Sequence, residues 1–301
     1  MLAEVSHPKT IVGGRRIRPR AGVAYLLIAP ALAFLAFTYA YPLVQLVGFS
    51  LHRRGRGEWV GLDNYRLLAG DPLFRASILH NAELVAVVPI LVGLSVLVAA
   101  LLHQQFRGWK VYRVVLFLPH MLPVVVTGIA FGFIYETHGI LNQLLHDVGL
   151  AVLAQNWLGD ARLALLAVAA VIVWRQAGFG TVLLLARMVQ IPPELYDSSR
   201  IDGAGWWQTL WQVTVPQLWT IIAFYVGVIV IDLFSWVFNY IYVLTKGGPG
   251  YSTYVSEYFI YDRAFAYDQI GIASAFSVVL LVGVFVAMFV YFGWLRGRDV
   301  F

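Results

Sequence analysis

The sequence predicts an all-α, polytopic membrane protein with six transmembrane helices. Hydrophobic residues fill 60% of its 301 positions and charged ones only 12%, about half the charged share of a soluble domain. So few charges cannot cover a protein surface, and lipid must cover it instead. Six apolar runs of about 20 residues punctuate the chain, each long enough for a helix to cross a hydrocarbon core of about 30 Å. None shows the alternation over about ten residues that marks a barrel strand. Backbone groups in hydrocarbon must then bond within their own segment, as a helix provides.

The first run, 22–49, follows a basic tail, 1–21, containing "RRIRPR". Its apolar stretch outruns the about 7 to 15 residues of a secretory signal and has no clear small-residue cleavage site, so it is expected to be a retained span. The second run, 82–102, and the third, 112–135, are joined by a short basic connection. The fourth, 163–186, is followed by a long polar loop. The fifth, 219–244, and sixth, 270–294, complete the set.

Six spans place both termini on one side. Lys9, Arg15, Arg16, Arg18, Arg20, Arg107, Lys110, Arg113, Arg187, Arg200, Arg296 and Arg298 would all lie there, which makes it the cytosolic side. The acidic connection after the third span, with Glu136, Asp147 and Asp160, agrees, whereas "HRRGRGEW" after the first runs against the bias. The net charge of +5 then reflects topology rather than nucleic-acid binding. With no Cys there are no disulfides, thiolate ligands or Cys nucleophiles. The His residues show no paired metal-ligand spacing with acids. No Ser-His-Asp set or carboxylate pair is legible, and nothing in the residues calls for an enzyme or a bound cofactor.

The long polar loop, 191–216, reads "IPPELYDSSRIDGAGWWQTLWQVTVP". Pro193 suits a first helical position, Glu194 and Asp197 complement the positive end of a helix, and Gly203 suits the left-handed residue that ends one. A second short helix is expected from Ala204, with Trp207, Leu210, Trp211 and Thr214 at helical spacing, until Pro216 opens the next span. Its Trp residues either lie in the lipid interface or form a docking surface for a soluble partner.

This loop resembles the EAA loop of permease subunits of binding-protein-dependent ABC importers. Asp197, Ser198, Ser199, Gly203, Val215 and Pro216 occupy the places of the acid, the two small residues, the Gly and the aliphatic-x-Pro ending. "IDGA" at Ile201 to Ala204 resembles the carbohydrate branch. The acid-Ala-Ala triplet reads Asp-Ser-Ser here, which keeps the charge and nearly the size. "LLIAPALAFLAFTYAYPLVQLVGFSL" and "YRVVLFLPHMLP" resemble the first and third spans of the first of two paired permeases, of the maltose and glycerol-3-phosphate type. "IYVLTKGGPGYST" resembles the external turn after the fifth.

The resemblance implies a second permease subunit, two cytosolic ATPase subunits, an extracytoplasmic solute-binding protein and a bacterial plasma membrane. ATP and Mg would sit on the ATPase subunits, since this chain has no phosphate-binding loop of its own. It further implies that Glu194, Asp197, Ser198, Ser199, Asp202, Gly203, Ala204 and Trp207 form a coupling helix seated on an ATPase. Trp174, Gln176 and Phe179 in the fourth span, with Ser235, Trp236 and Asn239 in the fifth, would face a sugar, and Asp232 joins them as an ionisable residue that a span tolerates best beside water or solute.

The residue types agree with that last implication, because amides and hydroxyls pair with sugar hydroxyls and aromatic faces with their C–H surfaces. Within spans, Arg175 and Asp232 are costly, and they either bridge to each other or line a wet path. An ion- or proton-coupled carrier is the alternative, though the internal repeats common in carriers are not seen.

Overall fold

The computed structural model describes residues 21–53 and 57–296, and side chains from residue 25. Ala21 already begins a helix; the rest of the basic tail, Arg54, Arg56 and Arg298 lie outside the described residues. The chain divides into two compact units, 1–45 and 46–301. In the first, helix α1 (Ala21–Leu35) passes through a widened π turn at Ala36–Ala40 into α2 (Tyr41–Ser50), whose last five residues already belong to the second.

The second unit continues with α3 (Asp63–Gly70), α4 (Pro72–Val85), α5 (Val87–His103), α6 (Trp109–Met121) and α7 (Val124–Ile134). Then come α8 (Ile140–Asp147), α9 (Ala164–Met188), α10 (Pro193–Ile201), α11 (Trp206–Thr209) and α12 (Val215–Leu233). The last are α13 (Val237–Leu244), α14 (Ser256–Tyr261) and α15 (Ile270–Arg296).

Five of the resulting helical stretches among the described residues are long and apolar enough to cross a membrane, and a bent pair makes a sixth when its two helices count as one span. That pair corrects the expected third span, 112–135. It is two helices, α6 and α7, meeting at 98°. Pro123 is the cause: a residue before Pro is pushed out of the helical region, and Leu122 is extended at φ −69, ψ 139.

The fifth span also differs from 219–244. Its helix starts at Trp206, runs unbroken to Leu233, and stops eleven residues earlier than the apolar run suggests. Pro216 does not open it. A π turn at Leu210–Thr214 joins α11 to α12, with the Val215 N–H reaching Leu210 O. Widening that turn accommodates a ring that cannot donate and would otherwise collide with the carbonyl four residues back. Pro42 follows the π turn at Ala36–Ala40 at the same offset. The second span starts earlier than expected, since α4 and α5 run on as one stretch from Pro72 to His103.

The core lies where α5, α9 and α12 meet, around Leu84, Leu91, Val168, Val171, Tyr225 and Ile229. Gly180 lets α9 approach α12 closely; Ser95 Oγ donates to Ala177 O at 3.3 Å and the Tyr225 hydroxyl to Gln176 O at 3.2 Å. A second cluster, with Val96, Leu184, Met188, Leu210 and Leu218, fastens the polar loop to the bundle.

Asn81 ties three elements together. Its Nδ2 donates to Leu233 O (2.9 Å) and Glu257 Oε2 (3.2 Å), and its Oδ1 accepts from Ser256 N–H (2.8 Å). Burial pushes the Glu257 carboxyl up to about 7. The folded state then holds a proton that the unfolded chain releases near pH 4.5. Stability is therefore expected to fall as pH rises from about 4.5 through 7, by up to about 3 kcal/mol. Glu257→Gln removes that loss, so its thermal midpoint in detergent should vary less between pH 5 and pH 8 than the parent's. Parallel curves for the two proteins would refute a protonated Glu257.

Candidate solute cavity and coupling loop

A cavity of about 240 Å³ opens where α6, α9, α12 and α13 converge, lined by His120, Arg175, Gln176, Asp232, Trp236 and Tyr240 among apolar neighbours. Two broken spans shape it. The α6–α7 bend leaves Leu122 O without a helical donor, and Arg175 supplies one, with Nη2 at 3.2 Å and Nε at 3.4 Å. The break after α12 turns the chain at Phe234–Trp236, with Trp236 N–H held by Asp232 O at 2.8 Å.

Asp232 and Arg175 form no ion pair. Instead Gln176 Nε2 donates to Asp232 Oδ2 at 3.0 Å. Gln176 Oε1, His120 Nδ1 and Tyr240 Oη, all buried, make no hydrogen bond of good geometry among the described residues, although His120 lies beside Gln176 and Tyr240 beside Arg175. Unpaired buried polar groups are costly, and these three belong to residues that line the same space. Together with Asp232 and Arg175 they can donate to and accept from a polyhydroxyl solute.

Of the residues expected to face a sugar, Gln176, Asp232 and Trp236 line the cavity. The other four do not. Phe179 stacks behind it on His120, at 4.9 Å and 18°. Trp174 points to Phe131, 5.1 Å away, and is 43% exposed. Ser235 is exposed at the break, and Asn239 Nδ2 donates to Trp236 O at 3.4 Å. The break explains this: Ser235 lies in the turn at 234–236, and Asn239 stands about 100° around α13 from Tyr240, at the rim beside Trp236 rather than inside the cavity. The sequence reading missed His120 and Tyr240. The signal for His120 was its place between Pro119 and Pro123, where a helix has to open.

The polar loop folds as a compact knob. Helix α10 has Pro193 in its first turn with Glu194 behind it. Asp197 pairs with Arg200 at 3.2 Å. Ser198 and Ser199 donate back to Glu194 O and Tyr196 O, both at 2.8 Å. The helix ends in a Schellman turn: Gly203, at φ +77, bonds to Arg200 O and Ala204 to Ser199 O, the arrangement in which Gly carries the left-handed residue. Asp202 precedes that turn. Ser199 is buried, whereas Ile201 is 86% exposed and Trp207 and Trp211 more than half. The expected Trp207–Thr214 stripe therefore splits, with Leu210 and Thr214 packed inward and the two Trp facing out.

Spans broken beside a polar cavity, with a compact knob in the loop after the fourth, are an arrangement suited to a membrane permease. The particular family follows from comparison. Residues 83–295 match the model of the binding-protein-dependent transport system inner membrane component, and the chain belongs to that family. It is a permease subunit of an ABC transporter, not an ion-coupled carrier.

The chain is 37% identical over 268 residues to the probable ABC transporter permease protein YurN of Bacillus subtilis, covering 86% of this chain and 91% of that one. It is 33% identical to the diacetylchitobiose uptake system permease protein NgcF of Streptomyces coelicolor, over 74% of this chain and 67% of the other. The fold matches a chain of a bacterial alginate ABC transporter, crystallised with an alginate pentasaccharide-bound periplasmic protein. The TM-score is 0.81 at 21% identity, covering 93% and 96% of the two chains.

Proposed function

We propose that this subunit imports a sugar, in the class of di- and oligosaccharides, and that the cavity of Arg175, Gln176, Asp232 and Tyr240 is its share of the solute path. The polar side chains of His120, Gln176 and Tyr240 that converge on the cavity beside Arg175 and Asp232 carry this reading, since a sugar hydroxyl satisfies donors and acceptors alike. A second permease completes the path, and two ATPase subunits, which hold the ATP and Mg, drive it through the 191–216 loop. An extracytoplasmic binding protein delivers the solute. Both termini lie in the cytosol on this reading, so a single Cys at Tyr251, an exposed position of the turn after the fifth span, reacts with an impermeant maleimide added outside intact cells.

The test is uptake by proteoliposomes holding this chain, its partner permease and the ATPases, with the binding protein inside or outside. Gln176→Ala and Asp232→Asn should each weaken apparent sugar affinity several-fold, as expected for losing a hydrogen bond of about 0.5 to 1.5 kcal/mol. ATPase copurification should be unchanged. Parental kinetics in both variants would remove the cavity from the path. ATP-driven uptake of no sugar at all would overturn the solute class.

A further inference from the structure

The cavity does not end the run of sugar-compatible surface. Trp236, 59% exposed, stands at its edge, and Asn239 and Tyr242 follow at three-residue steps. Residues three apart are neighbours on a helix, so they continue one strip for about 9 Å along α13. Tyr242 then meets Tyr261 of α14, with ring centroids 5.5 Å apart at 81°. Tyr261 in turn meets Phe265 at 5.3 Å.

Phe265 is 79% exposed, yet it does not sit in an apolar setting. It belongs to a π turn, Asp262–Ala266, that carries Asp262 and Arg263 and is followed by Asp268. Arg263 pins that turn, donating to Asp71 at 2.6 Å and Gln269 at 3.1 Å and lying over the Phe259 ring at 4.9 Å. The ring is therefore held out on a segment that Arg263 fastens to Asp71 and Gln269. A Phe so presented, in series with two phenols, an amide and an indole, has the composition that stacks on pyranose C–H faces while bonding hydroxyls.

We infer that Phe265, Tyr261, Tyr242, Asn239 and Trp236 form an entry strip on which an oligosaccharide stacks, ring by ring, on its way to the cavity. This rests on the proposed sugar function and adds to it a length preference. The strip is longer than one sugar ring, so each added unit gains another contact.

Saturation-transfer NMR on the full chain in lipid nanodiscs tests it with glucose, maltose, maltotetraose and cellotetraose as probes. Apparent affinity should rise about tenfold from glucose to the tetraoses, as expected from stacking on further rings. In Phe265→Leu and Tyr261→Leu the rise should be lost, although Leu keeps the apolar bulk, and the thermal midpoint should hold. No length dependence in the parent overturns the strip. So does unaltered binding by both Leu variants, which would make the patch an apolar contact for a partner protein. The readout needs neither ATP nor partner subunits. Length-dependent binding without ATP-driven uptake would keep the strip and reject the proposed function, and uptake without such binding would do the reverse.

Discussion

Gly178→Ala is expected to abolish most of the yield of folded protein. At this position α6 crosses α9, and a Cβ would fall 2.7 Å from the Leu116 carbonyl carbon and 3.0 Å from Phe117 Cα, with the carbonyl oxygen nearer still. These are backbone atoms of a packed helix and cannot rotate away. Overpacking a core costs about 1 to 3 kcal/mol where side chains can yield, and more where they cannot, so about 3 kcal/mol or more is expected here. The displaced residues also lead into the Leu122 bend and thereby the cavity. Gly132→Ala, with no atom within 4 Å of the new methyl, serves as the control. Monodisperse yield and thermal midpoint in detergent decide the matter. A Gly178→Ala midpoint equal to that of the control would show that α6 and α9 can separate freely.

Gly203→Trp should reduce ATP-driven uptake by tenfold or more while the chain still inserts and folds. The left-handed φ of +77 costs a side-chain-bearing residue about 1 to 2 kcal/mol, too little to unfold the bundle. Apart from its two chain neighbours, no atom of the described residues lies within 4 Å of a Cβ at this position. An indole there meets only what docks on the knob. Gly203→Ala carries the same strain without the bulk, and separates the two effects. The proposed coupling requires that Trp, and not Ala, disrupts copurification with the ATPase subunits. Equal behaviour of the two variants would assign the loss to strain, and parental uptake in both would return Trp207 and Trp211 to a lipid-interface role.

The bundle was legible because hydrophobic length is a direct physical requirement of the bilayer. The end of α10 was legible for a similar reason, since Pro193 and Gly203 each constrain φ in their own way. The bend at Leu122 was not read, because apolar composition continues unchanged across it and only the pair Pro119 and Pro123 marks it. The early start of the fifth helix was hidden by Gln208, Thr209, Gln212 and Pro216. These lower the hydropathy of a stretch whose helical state comes from packing Leu210 and Thr214 against the bundle. At the cavity, Gln176, Asp232 and Trp236 could be reached by searching for polar and aromatic residues inside spans. His120 and Tyr240 are brought in by tertiary structure alone, from a bent helix and from beyond a break.

The π turn before Pro216 has a consequence for angular phase. A single widened turn acts as one extra residue in the helix, and one residue is about 100° of rotation. If Leu210–Thr214 relaxed to ordinary α geometry, everything beyond it would turn by about that angle relative to the knob, and Asp232 would swing away from Gln176. The Pro216 ring collides with the backbone in the relaxed form. A residue sixteen positions from Asp232, outside the cavity it serves, thus sets the heading at which that carboxylate faces the solute.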